Sequence, residues 1–328
     1  VDGSPRRGRA VGAKSVIDEI AGAAPTLRHV IVARHQAAPH DWVEGRDHWW
    51  DDLVRDMPDE AATEEMPADA PFLLIYTSGT TGKPKGVVHS HCGFPAKQAL
   101  DLGICMDFKP TDRLMWMSDM GWLVGPILVY GGLQLGGTIV LVEGAPNYPE
   151  PDRYWRLIDT HRVTFLGVAP TIIRSLLANG DEQLARHDLS SLRIFASTGE
   201  PWDTVSWRWL FEKVGKRRLP ILNYSGGTEV GGILTTTVIH PLRPCAFSGP
   251  VPGVGAAVVD ETGAPAPVGA IGELVMRTPS IGLTRGLWRD RERYLDSYWR
   301  VIPGMWVHGD FASVEADGRW FVHGRSDD

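Results

Sequence analysis

The chain has 328 residues, enough for one large or two ordinary domains with a sizeable buried core. It is 43% hydrophobic and 22% charged, an ordinary globular balance, and its formal net charge of −7 offers no overall field for nucleic acid or anionic lipid. The three scattered cysteines, Cys92, Cys105 and Cys245, argue against a disulfide framework or a cysteine zinc site and suit a reducing, cytoplasmic compartment.

Taken in chain order, a basic opening (Arg6, Arg7, Arg9) leads into a helical pattern over 16–23 and a strand over 29–33. Residues 41–54 are rich in tryptophan (Trp42, Trp49, Trp50) and turn helical towards their end. Residues 56–71, acidic and carrying Pro58 and Pro67, read as an exposed connection. Strands follow over 72–76 and 86–89, then a helix over 94–106 and a strand over 113–117. Residues 120–142 carry no charge and are long enough to span a bilayer. Pro126, Gln134 and the Gly136-Gly137 pair break them, so they read as a buried helix over 123–135 and a buried strand over 138–142, with no membrane span. Helices over 151–161, 170–177 and 202–214 alternate with strands over 163–168, 192–196 and 220–224. That alternation implies an α/β fold of two mostly parallel sheets layered with helices. Beyond residue 245 proline and glycine become dense. Short strands over 256–259, 272–276, 306–308, 312–315 and 320–323, with one helix over 289–299, predict a small antiparallel, barrel-like β subdomain. The expected division is therefore 1–245 and 246–328.

Four places could carry chemistry. Residues 77–86 read Thr-Ser-Gly-Thr-Thr-Gly-Lys-Pro-Lys-Gly between two apolar runs. Such a loop offers backbone amides, hydroxyls and ammonium groups to a polyanion, and its glycines allow close backbone approach. It is not a Walker A loop, because Thr77 stands where that motif needs glycine and Pro84 follows Lys83. A plain Gly/Thr hairpin is the alternative. After the strand 192–196 comes Ser197-Thr198-Gly199-Glu200-Pro201, and after 220–224 comes Ser225-Gly226-Gly227-Thr228-Glu229. Each is a small-residue turn with one carboxylate at a strand end, where parallel sheets bind ligands. Glu229 beside Thr228 could hold Mg²⁺ on a phosphate, or both turns could simply be strand-to-helix connections with capping acids. Asp310 after a short strand could bond a ribose diol, and Arg325 could pair with phosphate. His89-Ser90-His91 lacks a second cluster for zinc. No Gly-x-Ser-x-Gly elbow, Cys–His signature or GxGxxG is present.

In this order and spacing, Tyr76 to Gly86, Gly199-Glu200-Pro201, Tyr224 to Glu229, Gly309-Asp310 and Gly324-Arg325 resemble the adenylate-forming superfamily of acyl-CoA synthetases, luciferases and peptide-synthetase adenylation domains. Trp42 to Leu53, Gly121-Trp122 and Glu143 to Pro149 carry a closer likeness to the acetyl-CoA-synthetase-like group. The resemblance implies a two-step reaction. A carboxylate attacks the α-phosphate of ATP, giving acyl-adenylate and pyrophosphate; the thiol of coenzyme A then displaces AMP. It implies that Thr77, Ser78, Gly79, Thr80, Thr81, Gly82, Lys83 and Lys85 enclose the β- and γ-phosphates. Thr228 would contact the α-phosphate and Glu229 would ligate Mg²⁺. Gly199, Glu200 and Pro201 would line the adenine, with Asn223 and Tyr224 beside it. Asp310 would bind the ribose hydroxyls and Arg325 the ribose or phosphate.

Within the resemblance, Gly226 occupies the position of a tryptophan that caps a short acyl pocket in acetyl-CoA synthetases. Trp122, Leu123, Val124 and Thr198 would form the other walls. Removing an indole frees space for several methylenes, each worth ~0.8 kcal/mol when buried. The expected acid is thus larger than acetate, and Gly226→Trp should shift preference towards acetate or propionate. Acetate or propionate as the acid, an adenylation domain loading a carrier protein, and a non-catalytic nucleotide-binding module are the alternatives. Asp327 matches the family's hinge acid. The chain is accordingly expected to be a fragment without the small C-terminal domain and without the first coenzyme A-binding stretch, and poorly active alone. The acid and the oligomeric state are not legible.

Overall fold

A computed structural model describes residues 1–77 and 83–326. Ser78, Gly79, Thr80, Thr81, Gly82 and the hinge position Asp327 lie outside the described residues. The chain divides into two compact units, Val1–Glu65 with Glu143–Tyr154, and Met66–Val142 with Trp155–Asp328.

The first unit holds the antiparallel hairpin β1 (Gly3–Arg6) and β2 (Arg9–Gly12), helix α1 (Lys14–Ala21), the parallel pair β3 (Val30–Val32) and β4 (Asp47–Trp49), and α2 (Trp50–Val54). Lys14 is only 1% exposed, its ammonium lying 2.7 Å from Asp18 and from Asp47. Trp42 stacks on Trp49 at 4.5 Å. The hairpin of residues 3–12 went unpredicted because its arginines mask any two-residue alternation: β2 is exposed at three of its four positions.

The second unit opens with β5 (Pro71–Thr77) and β6 (Lys85–Ser90). Helix α3 (Gly93–Gln98) runs on as wide turns through Ala99–Cys105. Then come β7 (Arg113–Trp116), α4 (Val124–Pro126), a wide turn Ile127–Gly131, α5 (Gly132–Gln134) and β8 (Thr138–Val140). Helix α6 (Arg153–His161), β9 (Phe165–Val168), α7 (Pro170–Ala178), α8 (Asp181–Leu184), β10 (Ile194–Ser197) and α9 (Thr204–Trp209) follow. The remainder is β11 (Ile221–Gly227), β12 (Gly231–Thr235), β13 (Gly249–Pro250), β14 (Ala256–Val259), β15 (Gly272–Met276), β16 (Gly286–Leu287), α10 (Arg291–Tyr298), β17 (Trp306–Val314) and β18 (Trp320–Arg325).

Three sheets organise this unit. The largest runs β13-β12-β11-β10-β9-β7-β8. Strands β8, β7, β9, β10 and β11 are parallel, while β12 and β13 turn antiparallel at its edge. Every residue of β9 and β10 is buried, as a parallel sheet covered on both faces requires. Phe94, Leu102, Leu114, Trp116, Phe165 and Leu222 form its core. The second sheet, β16-β6-β5, is antiparallel where a mostly parallel one was expected. Its two longer strands are joined by too short a segment for a crossover, which needs about a dozen residues. The third sheet, β14-β15-β17-β18, is the expected antiparallel C-terminal sheet, packed on Leu274, Met276, Trp306 and Ala312.

Two local expectations change. Strands expected over 306–308 and 312–315 are one strand, β17, with a register shift beside Phe311. Residues 225–229 do not lead into a helix: β11 continues to Gly227 and returns as β12. Among the described residues no helix is long and apolar enough to cross a membrane. Within the charge-free stretch the helical part ends before Gly136, whose φ is +78°.

Candidate functional site

The strand ends of the large sheet and the edge of the C-terminal sheet enclose a cavity of about 570 Å³. Thr198, Gly199, Glu200 and Pro201 line it after β10, and Asn223, Tyr224, Ser225 and Gly226 line it from β11. Cys245, Phe247, Asp310 and the run from Phe321 to Arg325 complete the wall. Four sequence-predicted segments thus meet in one place.

Each side chain is held for a physical reason. Gly199 has φ +107°, a conformation open to glycine, and nothing lies within 4 Å of where a Cβ would stand, so the backbone presents a bare face. The Glu200 carboxylate accepts from the Thr171 amide at 2.6 Å, from the Thr171 hydroxyl and from Arg174 Nη2 at 2.7 Å. Burial pushes its pKa up, but these bonds outweigh it and hold the carboxyl below its ordinary range. The glutamate therefore anchors the turn. Asn223 is buried and donates to the Cys245 carbonyl at 3.3 Å. Asp310 and Arg325 face each other in the β17–β18 register, with Arg325 Nη1 3.3 Å from Asp310 Oδ1. Behind them Glu273 accepts from the Gly309 amide at 3.1 Å and Ser326 Oγ at 2.9 Å. Burial first, with the nearby Asp310 charge, raises the Glu273 pKa.

A second cluster gathers residues expected on the phosphate side. The Tyr298 hydroxyl donates to Glu229 Oε1 and accepts from Lys85 Nζ at 3.2 Å. Tyr298 stacks flat on Trp306, ring centroids 4.1 Å apart. His89 Nε2 donates to the Thr228 carbonyl at 2.7 Å, and the Thr284 amide donates to the Glu229 carbonyl at 2.6 Å. Arg293 donates to the carbonyls of Pro84 at 3.2 Å and Lys83 at 2.5 Å, and Thr77 pairs with Lys85. Tyr298 thereby links Lys85 to Glu229, while the Lys83 and Thr228 carbonyls are held by Arg293 and His89.

The acyl-pocket set is not brought together as a unit. Thr198 and Gly226 line the cavity, but Trp122, Leu123 and Val124 do not. Leu123 packs on Ile75, Val87 and Leu287, and Trp122 is 64% exposed. Nor is Gly226 an open vacancy: a Cβ there would lie 1.7 Å from the Gly231 carbonyl oxygen. The missing side chain is filled by the returning strand, so Gly226→Trp would disturb the hairpin as well as any pocket.

Sequence reasoning missed Tyr298, His89, Phe321 and His323. Phe321 and His323 stand on the strand that carries Arg325, but the register shift between Val322 and Gly324 breaks the two-residue period that could have placed them. Tyr298 lies 69 residues beyond its partner Glu229, and local pattern carries no sign of that contact.

The sequence profile for the AMP-binding enzyme matches residues 8–288. The chain belongs to the AMP-binding enzyme family. Acetyl-coenzyme A synthetase of Chlorobaculum tepidum is 37% identical to it over all of this chain and 50% of that protein. Acetyl-coenzyme A synthetase of Pyrobaculum aerophilum is 39% identical over all of this chain and 50% of its own. Among solved structures, acetoacetyl-CoA synthetase from Streptomyces lividans superposes with a TM-score of 0.90 at 30% identity, covering 99% of this chain and 50% of that one. The chain spans about half the length of the curated relatives it matches.

Proposed function

We propose that this chain forms the adenylating half of an ATP-dependent acid–thiol ligase. A carboxylate would be activated on the α-phosphate of ATP and passed to coenzyme A. The observation that carries this reading is the single cavity to which Gly199–Glu200–Pro201, Asn223, Asp310 and Arg325 converge, with Lys85, Thr228 and Glu229 gathered beside it. In this reading the adenine lies against the bare Gly199 backbone near Asn223, and Asp310 accepts from the ribose hydroxyls. Lys85 with Thr77 and Lys83 neutralises the β- and γ-phosphates, and Thr228 bonds the α-phosphate. Adenylyl transfer needs such positioning and charge neutralisation more than a protein nucleophile.

The donor set fits Mg²⁺. Glu229 supplies one hard carboxylate oxygen, and among the described residues no group of three His, Cys, Asp or Glu could hold a metal unaided. That suits a cation that arrives on nucleotide phosphates and keeps most of its waters. When bound it would neutralise charge building on the phosphates.

We further propose an acid larger than acetate, supported by the solved neighbour named for acetoacetate. Acetate remains the second reading, favoured by the names of the curated relatives. A division near residue 245 is supported by the separate antiparallel sheet beyond it. A reducing, cytoplasmic setting is supported by the three free thiols. Pyrophosphate exchange by the full-length protein, over a panel of acids from acetate upwards, is the test. Exchange with one acid class supports the ligase and names its substrate. Absence of exchange with every acid, while AMP still binds, would leave a nucleotide-binding module instead.

A further inference from the structure

Lys97 and Asp101 stand four residues apart where α3 widens into Ala99–Cys105, so they share one helix face. Each is 1% exposed. Lys97 Nζ lies 2.5 and 2.6 Å from the two Asp101 oxygens. The pair's remaining bonds all go to one hairpin. Lys97 Nζ donates to the Gly232 carbonyl at 2.9 Å, and Asp101 Oδ2 accepts from the Gly232 amide at 3.1 Å and the Tyr224 hydroxyl at 2.5 Å. Both backbone groups of one β12 residue and a side chain of β11 are thus gripped together. Burial first, then the Asp101 charge, drives the Tyr224 pKa well above ordinary, so that hydroxyl stays a donor. Gly282 packs on the stem of Lys97: a Cβ there would meet Lys97 Cγ at 2.4 Å and the Val230 carbonyl at 2.8 Å. Two residues on, the Thr284 amide holds the Glu229 carbonyl.

A fully desolvated ion pair is an expensive way to gain stability, since apolar residues of similar volume often serve as well. We propose that the Lys97–Asp101 pair is a positioning device: it fixes the β11–β12 hairpin so that Thr228 and Glu229 face the triphosphate and its cation. Neither residue lines the nucleotide cavity, so they act through the hairpin and not on the ligand. The inference rests on the nucleotide reading given above. It predicts a split, in which adenosine, bound by the Gly199 turn, Asn223 and Asp310, is indifferent to the pair while MgATP depends on it.

The test compares wild type with Asp101→Asn and with the double variant Lys97→Met/Asp101→Leu, which removes the pair without stranding a buried charge. Calorimetry gives the Kd of adenosine and of MgATP, and amide exchange is followed in the ligand-free chain. In the double variant MgATP binding should weaken at least about tenfold with adenosine within about twofold. Amides of residues 228–232 should exchange about tenfold faster while those of β9 and β10 keep their protection. Parallel losses for both ligands, or uniform loss of protection, would make the pair a folding element and overturn the proposal; so would unchanged exchange at 228–232. A wild type that binds neither ligand would overturn the nucleotide reading instead, and the exchange result would still decide the role of the pair.

Discussion

Gly226→Ala tests whether the hairpin beneath the site is as closely packed as its geometry implies. The new Cβ would stand 1.7 Å from the Gly231 oxygen, half the 3.4 Å of ordinary contact, and 2.9 Å from the Gly232 Cα. The obstacle is backbone, so no side-chain rotation relieves it. Overpacking of this kind costs ~1–3 kcal/mol. Opening the β11–β12 ladder forfeits one or two hydrogen bonds at ~1 kcal/mol each. The sum, ~2–5 kcal/mol, lowers Tm by roughly 4–10 °C in a domain of this size. Gly103→Ala is the control. Its Cβ would meet Leu135 at an ordinary 3.5 Å within a helical stretch, and it should hold or slightly raise Tm. Differential scanning calorimetry reads both. A Gly226→Ala protein melting within ~1 °C of wild type would refute the packing described, and Gly226 would become an open wall position after all.

Four further outcomes follow from the same geometry. Glu273→Gln keeps an acceptor for Gly309 and Ser326 but removes a carboxyl whose folded pKa is raised, by burial first and then by Asp310. A raised folded pKa means stability present below the unfolded value of ~4.5 and lost as pH rises through the folded value. The variant should therefore gain Tm over wild type as pH rises above ~4.5 in paired melting curves, and a pH-independent difference would contradict this. Burial raises the Cys105 thiol to about 11, so iodoacetamide at mildly alkaline pH should spare it until unfolding while Cys92 reacts. Cys245 lines the cavity, so saturating AMP should slow its alkylation, read by peptide mass spectrometry. Glu229→Gln should weaken MgATP about tenfold and leave AMP within about twofold, because only the triphosphate brings the cation to that carboxylate.

The fold was legible where burial is two-sided. β9 and β10 are continuous apolar runs, and the sequence places both within two residues of their bounds. It failed where pairing is made by glycine. Residues 225–232 carry four glycines and no alternation, and Ile233-Leu234 alone is too short a run to mark β12. The cavity-lining residues were legible because short phrases sit at strand ends, where topology alone brings them together. Tyr298, His89 and the Lys97–Asp101 pair were not. Their roles arise from contacts across 69 to 139 residues, and a lone tyrosine, histidine or i,i+4 ion pair reads as ordinary core or surface. The acyl wall was over-read: a sequence position shows that a side chain is missing, not what occupies its space.

The most direct measurement is AMP binding by titration calorimetry to this chain and to its Asp310→Ala variant. Asp310 is 6% exposed at the cavity wall and stands opposite Arg325, placed to accept from a ribose diol. Wild type should bind one AMP per chain, and loss of charge-assisted bonds of ~1.5–3 kcal/mol should weaken the variant at least tenfold. A folded wild type that binds no AMP at millimolar concentration, or an Asp310→Ala protein that binds it equally well, would contradict the assignment of this cavity to the nucleotide.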